Sequence, residues 1–327
     1  MTTTAAEPEA GGAGSGAEPG RSPLDPRRPF RRARRARPRT SLLVELSMVV
    51  PAMAVFVALL VVPVGYAVYY SFTDYNGFPT QTPEIVGFDN YVHLFRSSDV
   101  TGSMVVTAVV AVGGSLLVNA LALGLALLLW RTTRFTAFAR VVMFYPHVLS
   151  LIVVGFLWAA ILGPQGAVNS VLESLGRSPM PFLSDETWAL GTLVCVIAWA
   201  QFGVQLLIYL AGLQAVPDEL MEASRIDGAN RWHTFRHVTW PALGPSVTVA
   251  LVTSMISLLK TYDVVVSLTG GGPAGSTKTF AYQILAVEFP KRQVGLASAE
   301  AVVLILVAAI LAFGVIALRR RADGAAA

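Results

Sequence analysis

Val216-Pro217-Asp218-Glu219-Leu220-Met221-Glu222-Ala223-Ser224-Arg225-Ile226-Asp227-Gly228-Ala229-Asn230-Arg231-Trp232-His233-Thr234-Phe235-Arg236-His237-Val238-Thr239-Trp240-Pro241 is a polar island in an apolar chain. It joins two long hydrophobic runs, and the link from Gln214 to Trp240 takes 27 residues. Helices in bundles are usually joined by about 2–8 residues, so a link this long either has a job or lacks structure. Its pattern is that of helix. A proline followed by Asp218 and Glu219 is a helix-start signature. Leu220, Ala223, Ser224 and Asp227 then fall at helical spacing, Gly228 interrupts, and Ala229–Val238 resumes the pattern with Trp232, Phe235 and His237. The stretch predicts two short helices with a turn at Gly228, ending where Pro241 opens the next apolar run. A compact helical knob of this kind is shaped to dock into a groove on a partner.

Outward from the knob the chain is built for lipid. Of 327 residues 54% are hydrophobic and only 13% charged, whereas soluble domains carry about 25% charged residues. Six runs, Met48–Tyr70, Met104–Trp130, Val141–Leu162, Trp188–Gln214, Pro241–Asp263 and Leu296–Leu318, are long enough to cross a hydrocarbon core as helix, which takes about 20 residues. Backbone in lipid must satisfy its own hydrogen bonds, so the expectation is an all-α integral membrane protein with six transmembrane helices. Tyr69, Tyr70, Trp130, Trp188 and Tyr262 stand at run ends, where amphipathic rings suit the headgroup region.

Basic residues orient the spans. Nine arginines lie between Arg21 and Arg39, the second connection carries Arg131, Arg134 and Arg140, and Arg319–Arg321 follow the last run. The first connection instead holds Asp74, Glu84, Asp89 and Asp99 against Arg96 alone. This asymmetry places both termini and the knob in the cytoplasm, although Lys278, Lys291 and Arg292 then fall outside. Residues 1–40, rich in Ala, Gly, Pro, Glu and Arg, show no apolar periodicity and read as a disordered cytoplasmic tail. The basic tail beside a membrane span is a topology signal, so the net charge of +4 does not point to nucleic acid. The first apolar run exceeds the about 7–15 residues of a signal-peptide core and is expected to be retained.

Several chemistries drop out. Cys195 is the only cysteine and can form no internal disulfide. Gly270–Lys278 superficially resembles a phosphate-binding loop, but Ser276 stands where the lysine after the last glycine would reach the phosphates. That loop reads instead as a flexible outer gate or a contact for an external partner. His233 and His237 are four apart, yet Thr234 stands where a zinc protease needs glutamate; they read as polar residues of a docking helix. His93 and His147 have no acidic or cysteine neighbours, and no paired carboxylates, nucleophile motif or metal constellation is present, so no catalytic or metal residue is assigned.

Glu222-Ala223-Ser224, then Gly228, then Val238-Thr239-Trp240-Pro241 resembles the Glu-Ala-Ala loop of binding-protein-dependent ABC importer permeases, which reads Glu-Ala-Ala, three residues, Gly, nine residues, Ile-x-Leu-Pro. The spacing agrees at every anchor; Ser224, Val238 and Trp240 are the substitutions, Trp240 the largest. Asp227-Gly228-Ala229 also resembles the common form of the motif centre. Ser71-Phe72-Thr73 with Val86-Gly87-Phe88-Asp89-Asn90-Tyr91 is similar to the first external loop of carbohydrate importers. Leu268-Thr269-Gly270-Gly271-Gly272-Pro273, with Ser276, Thr277 and Tyr282, is similar to the external loop of the first permease subunit of maltose, glycerol-phosphate and multiple-sugar transporters. The resemblance runs from Leu46 to Arg320. It implies the type-1 ABC importer permease fold in a bacterial plasma (inner) membrane: a first transmembrane helix at 46–70 and a permease core at 100–318 with a cytoplasmic coupling loop at 216–241. It further implies a second homologous permease subunit, two cytoplasmic ATPase subunits that hold the ATP and magnesium, and an extracytoplasmic solute-binding protein. This chain would bind no cofactor. Glu222, Ala223, Ser224, Asp227, Gly228, Ala229 and Pro241 would couple to the ATPase, and Gly270, Gly271, Gly272 and Pro273 would meet the binding protein.

Polar residues within the spans mark the candidate substrate path, since each is expensive in lipid unless it faces the bundle interior. Ser254, Ser257 and Thr261 recur along one face of the fifth run, and Gln201 and Gln205 are four apart on the fourth, near Trp199, Phe202 and Tyr209. Hydroxyls and amides beside aromatic rings suit a sugar; the same groups also commonly hydrogen-bond a neighbouring helix. The functional expectation is a non-catalytic permease subunit importing a sugar or oligosaccharide. A permease for another solute (a polyamine, glycerol phosphate) shares the loop, and an ion-coupled secondary transporter would fit six helices but usually shows internal repeats and intramembrane carboxylates, and the span centres here carry no Asp or Glu.

Overall fold

The computed structural model describes residues 39–324, so the expectation for the tail at 1–40 lies, but for its last two residues, outside the described residues. Two units, 1–55 and 56–327, are taken separately. In the first, the described residues are helical as part of α1 (Arg39–Phe56). In the second, a π-helical turn (Val57–Val61) and α2 (Val62–Tyr70) precede α3 (Asp89–Arg96), α4 (Ser98–Leu129), α5 (Arg134–Val148), α6 (Leu151–Leu162), α7 (Ala167–Ser174) and α8 (Glu186–Gln214). There follow α9 (Asp218–Ile226), α10 (Arg231–Thr234), a π segment (Phe235–Thr239), α11 (Trp240–Ala242), α12 (Gly244–Leu259), α13 (Asp263–Leu268), α14 (Phe280–Tyr282), a second π segment (Gln283–Glu288) and α15 (Val294–Gly324). Every regular element among the described residues is helical.

Five helices among the described residues are long and apolar enough to cross a membrane: Leu46–Tyr70, Ser98–Leu129, Leu151–Ser174, Glu186–Gln214 and Val294–Ala317. Arg231–Ala242 and Gly244–Leu259, bent by 65°, make a sixth if the pair is one span. Two expected boundaries shift. The third run was expected as one helix over Val141–Leu162, but Leu149 and Ser150 are extended, with ψ of 142° and 134°. Pro146 has no N–H to give the preceding turn, and the Leu149 N–H reaches only the Pro146 carbonyl at 3.3 Å. The fifth run was expected to begin at Pro241, yet the helix passes through Pro241 and bends at Leu243. There Gly244-Pro245 weakens the ladder twice, by backbone freedom and by a missing donor.

α8 is the centre of the bundle. Of its most apolar window 67% is buried, against 0% for Leu46–Tyr70, which is apolar on every side. Lipid tails are as apolar as leucine, so helices in a membrane associate through close packing and hydrogen bonds, and small residues mark the contact. The buried stripe of α4 follows that rule over most of its length: beside Val100, Val110, Val118 and Leu129 it carries Ser103, Thr107, Ala111, Gly114, Ser115, Asn119, Ala122 and Ala126. This stripe packs on α8 and α12. A closer approach joins α6 to α13: a Cβ on Gly155 would run into Ser267 Oγ and lie 3.1 Å from the Leu268 nitrogen.

Candidate functional site

The stretch between α8 and α12 folds as a knob. Pro217 caps α9, with Asp218 and Glu219 in the first turn, where carboxylates complement the exposed N–H groups. Gly228 has φ +73°. The Gly228 N–H donates to the Arg225 carbonyl at 3.1 Å and the Ala229 N–H to the Ser224 carbonyl at 3.0 Å. This is the left-handed helix stop for which glycine is the usual residue. No atom lies within 4 Å of where a Cβ would stand on Gly228, so the backbone angle and not crowding calls for glycine. Asn230 then caps α10, its Oδ1 accepting from the His233 N–H at 2.9 Å.

Ser224, one of the expected docking residues, points inward. It is buried, and its hydroxyl lies 3.2 Å from Thr234 Oγ1, tying the two arms of the knob together. Met221 Sδ accepts from Thr239 Oγ1 at 3.9 Å beside it. Glu222, Ala223, Asp227 and Pro241 are exposed and Ala229 is half-buried. Around them stand bare apolar side chains: Leu220 at 50% exposure, Ile226 at 87% and Trp232 at 63%. An isoleucine so exposed beside two acidic residues and a tryptophan is the composition of a contact surface with a hydrophobic centre and polar rim. His233 and His237 stack, their ring centres 5.8 Å apart. Their Nδ1 atoms face Asn230 Oδ1 at 3.0 Å and the His233 carbonyl at 3.1 Å. Among the described residues no three His, Cys, Asp or Glu side chains gather to hold a metal.

α12 carries the chain to the far end of the bundle, where the outer segments interlock. Residues 270–278, expected to be flexible, are braced. Thr269 and Thr277 hydroxyls lie 2.7 Å apart, Thr277 Oγ1 donates to the Gly272 carbonyl at 2.8 Å, and Tyr282 OH donates to the Gly270 carbonyl at 2.7 Å. Gly271 has φ +82°, and a Cβ there would stand 2.9 Å from the Tyr282 ring. The other quoted loop is tied in the same way. Asn90 Nδ2 donates to the Ser71 and Thr73 carbonyls at 2.9 and 2.8 Å, and Tyr91 OH to Ser71 Oγ at 2.8 Å.

The five expected path residues separate. Ser254 is fully buried and accepts from Asn119 Nδ2 at 2.8 Å, while Asn119 Oδ1 accepts from Tyr209 OH at 2.8 Å. These three residues clamp α4, α8 and α12 together, and Ser254 serves there as an interhelical tie. Gln201 is buried, but its Oε1 accepts at 3.0 Å from Ser257, which is exposed. Gln205 and Thr261 are buried, each with one oxygen free of hydrogen bonds. Thr253 and Lys260, passed over in the sequence, share the exposed face of α12 with Ser257. Trp158, also passed over, packs edge-on against Trp199 at 5.4 Å. Its hydropathy hides it; only its place opposite α8 singles it out.

The family model described as "Binding-protein-dependent transport system inner membrane component" matches residues 118–323, a range that contains the knob. The chain is similar to the diacetylchitobiose uptake system permease protein NgcF of Streptomyces coelicolor, 32% identical over 318 residues, covering 91% of this chain and 90% of that one. It is similar also to the probable starch degradation products transport system permease protein AmyD of Thermoanaerobacterium thermosulfurigenes, 30% identical over 263 residues, 80% of this chain and 89% of that one. The fold matches, with a TM-score of 0.73 at 22% identity over 86% of this chain and 95% of the other, a chain of the bacterial alginate ABC transporter in complex with alginate pentasaccharide-bound periplasmic protein.

Proposed function

Because this multi-pass membrane protein belongs to the family of binding-protein-dependent transport system inner membrane components, we propose that it is one of two permease subunits in an ATP-driven importer of a sugar or oligosaccharide. The observation that carries the reading is the knob. A pair of short helices tied through Ser224 and Thr234, with exposed Leu220, Glu222, Ile226 and Trp232, is joined through one residue, Leu243, to a membrane helix. Sugar as the cargo is supported by relatives whose names refer to diacetylchitobiose and starch degradation products.

In this reading the knob is the coupling loop, seated in a cleft of a cytoplasmic ATPase subunit. ATP and Mg²⁺ belong to two such partners; this chain binds no cofactor and catalyses nothing. Both termini are cytoplasmic, six helices cross the bacterial inner membrane, and a second permease subunit completes the pore. An extracytoplasmic solute-binding protein meets the braced loop at Gly270, Gly271, Gly272 and Pro273. The first span at 46–70, the core at 100–318 and the coupling loop at 216–241 are the working parts. When the ATPase pair closes on ATP it displaces the knob, and the buried Leu243 passes the push into α12. That helix has two packings, biased from one face by nucleotide and from the other by the loaded binding protein. Its exposed face offers Ser257 backed by Gln201, with Thr253 and Lys260 alongside. Hydroxyl, amide and ammonium groups meet the hydroxyl-rich edge of a sugar, while Gln205 stands one turn along α8 with an oxygen to spare.

The test is ATP hydrolysis by the reconstituted complex with its binding protein, screened across a panel of mono- and oligosaccharides. Stimulation by at least one sugar, with matching uptake into vesicles, is expected. Stimulation by polyamines or glycerol phosphate alone would move the cargo elsewhere, and hydrolysis blind to every solute would remove the importer reading.

A further inference from the structure

α3 has an apolar side that the described residues leave largely bare. At about 100° per residue, its side chains fall into three sectors. Asn90, Leu94 and Tyr91 face the bundle. Leu94 is fully buried with Val100, Phe280 and Leu296, Asn90 Nδ2 donates to the Ser71 and Thr73 carbonyls, and Tyr91 OH donates to Ser71 Oγ. Phe88, Val92 and Phe95, at steps of four and three residues, share the next sector and are 69%, 44% and 62% exposed. Asp89, His93 and Arg96 share the third and are exposed as well. A surface helix of a soluble protein needs two sectors, one for the core and one for water. α3 has a third, apolar and uncovered.

The ends of α3 fix its level. Phe88 packs edge-on against Phe72, their ring centres 5.4 Å apart, and Phe72 stands just beyond Tyr70, where the first membrane-length helix ends. At the other end Ser97 alone separates α3 from α4, the next membrane-length helix. A helix of 8 residues is about 12 Å long, so one tied at both ends to the ends of two spans lies across them at that depth. We propose that Phe88, Val92 and Phe95 seat α3 in the bilayer, at the boundary between lipid headgroups and acyl chains. A helix at the rim of a membrane bundle meets protein, lipid and water in turn around its axis, and α3 carries the three matching sectors in that order. Aromatic rings at the end of a span suit this depth, and interfacial helices bury their apolar side about 5–10 Å into it. A soluble binding protein arrives from the water, and that direction belongs to Asp89, His93 and Arg96. The inference needs only that the helices ending at Tyr70 and beginning at Ser98 cross the membrane. In the orientation given above the leaflet is the outer one.

The test uses the complete transporter in phosphatidylcholine vesicles, first without any substitution. A phospholipid with a diazirine on its acyl chain is photolysed, and the adducts are mapped by mass spectrometry. Adducts are expected on Phe88, Val92 and Phe95 but not on Asp89, His93 or Arg96, with the buried Val118 unmarked as control. Labelled spans with an unlabelled α3 overturn the proposal. The second measurement places a nitroxide on Val92→Cys, Phe95→Cys, Asp89→Cys and His93→Cys in turn, each in a Cys195→Ser background. The ratio of collisions with oxygen to collisions with a water-soluble nickel chelate should be at least about threefold higher at 92 and 95 than at 89 and 93. Equal ratios put the apolar sector in water and overturn the seat. Labels at 92 and 95 that are shielded from both probes until the binding protein or the second permease subunit is left out also overturn it, because protein then covers the sector.

Discussion

Replacing Gly228 separates a backbone requirement from a packing one. Its φ is +73°, and no atom lies within 4 Å of the site of a Cβ. Alanine therefore meets no clash and pays only for the left-handed backbone, about 1 kcal/mol. That cost raises the local opening constant of the knob about fivefold, since about 1.4 kcal/mol is a factor of ten. Asparagine, which tolerates this region through its short polar side chain, should cost less. Proline is different in kind: its ring holds φ near about −65° and removes an N–H. The lost donor is the 3.1 Å bond to the Arg225 carbonyl, and the wrong φ redirects the chain into α10. A cost of about 3 kcal/mol or more opens the knob more than a hundredfold. Amide exchange over residues 217–242 of the assembled transporter reads these constants, and uptake by vesicles at matched protein levels reads the consequence. The expected order of protection is glycine, asparagine, alanine, proline, with uptake lost only at proline. Wild-type uptake in Gly228→Pro, or exchange that rises equally outside the knob, would refute both the turn and its coupling role.

Glu222→Lys reverses a charge on an exposed side chain and should leave insertion and melting temperature unchanged while uptake falls at least about tenfold, as charge mismatches at interfaces cost several kcal/mol; wild-type uptake would remove Glu222 from the docking surface. Asn119→Ala breaks two interhelical bonds of 2.8 Å and Tyr209→Phe breaks one. At about 0.6 kcal/mol per such bond in membrane proteins, the first should destabilise at least twice as much in a denaturant titration, and equal effects would show that the clamp is not shared. Gly155→Ala drives a Cβ into Ser267 Oγ and should lower the melting temperature, with Ser267→Gly restoring part of it; strict additivity of the two substitutions would mean that α6 and α13 do not touch there.

The spans and the knob were legible because each is a sum of single-residue preferences. Hydropathy over a window, aromatic ends, Pro217 with two acidic residues and a lone Gly228 need no partner to be read. The residues quoted from the segment after the first span were legible as a pattern, and their hydrogen bonds give the reason: Ser71, Thr73, Asn90 and Tyr91 satisfy one another. What stayed hidden depends on pairs. Asn119 meets partners 90 and 135 residues away, so nothing near it in sequence marks it as the clamp that holds Ser254. Ser224 lies in the quoted motif beside exposed Glu222 and Ala223, but its bond to Thr234 turns it inward. Pro146 and Gly244-Pro245 were visible; where each helix yields depends on whether the packing around it holds the ladder closed.

The bend at Leu243 joins the legible part to the hidden part. Sequence places a break at Pro241, which would make the knob a separate body hung from the membrane helix. In the structure α10, the π segment and α11 run on through Pro241, and only Leu243 intervenes before α12. Leu243 is fully buried among the residues of the α4–α8–α12 core, and a Cβ on Gly212 would collide with Ser246 just beyond it. A buried, close-packed joint transmits displacement and does not absorb it. A floppy hinge at Pro241 would let the knob rock without moving α12. The observed geometry requires that a shift of the knob either moves α12 past the clamp at Asn119 and Ser254 or is resisted by it. Loosening that clamp, as in Asn119→Ala, should therefore raise the basal ATPase rate of the complex while the knob itself stays as protected from exchange as in the wild type. An unchanged basal rate would place the coupling route outside α12.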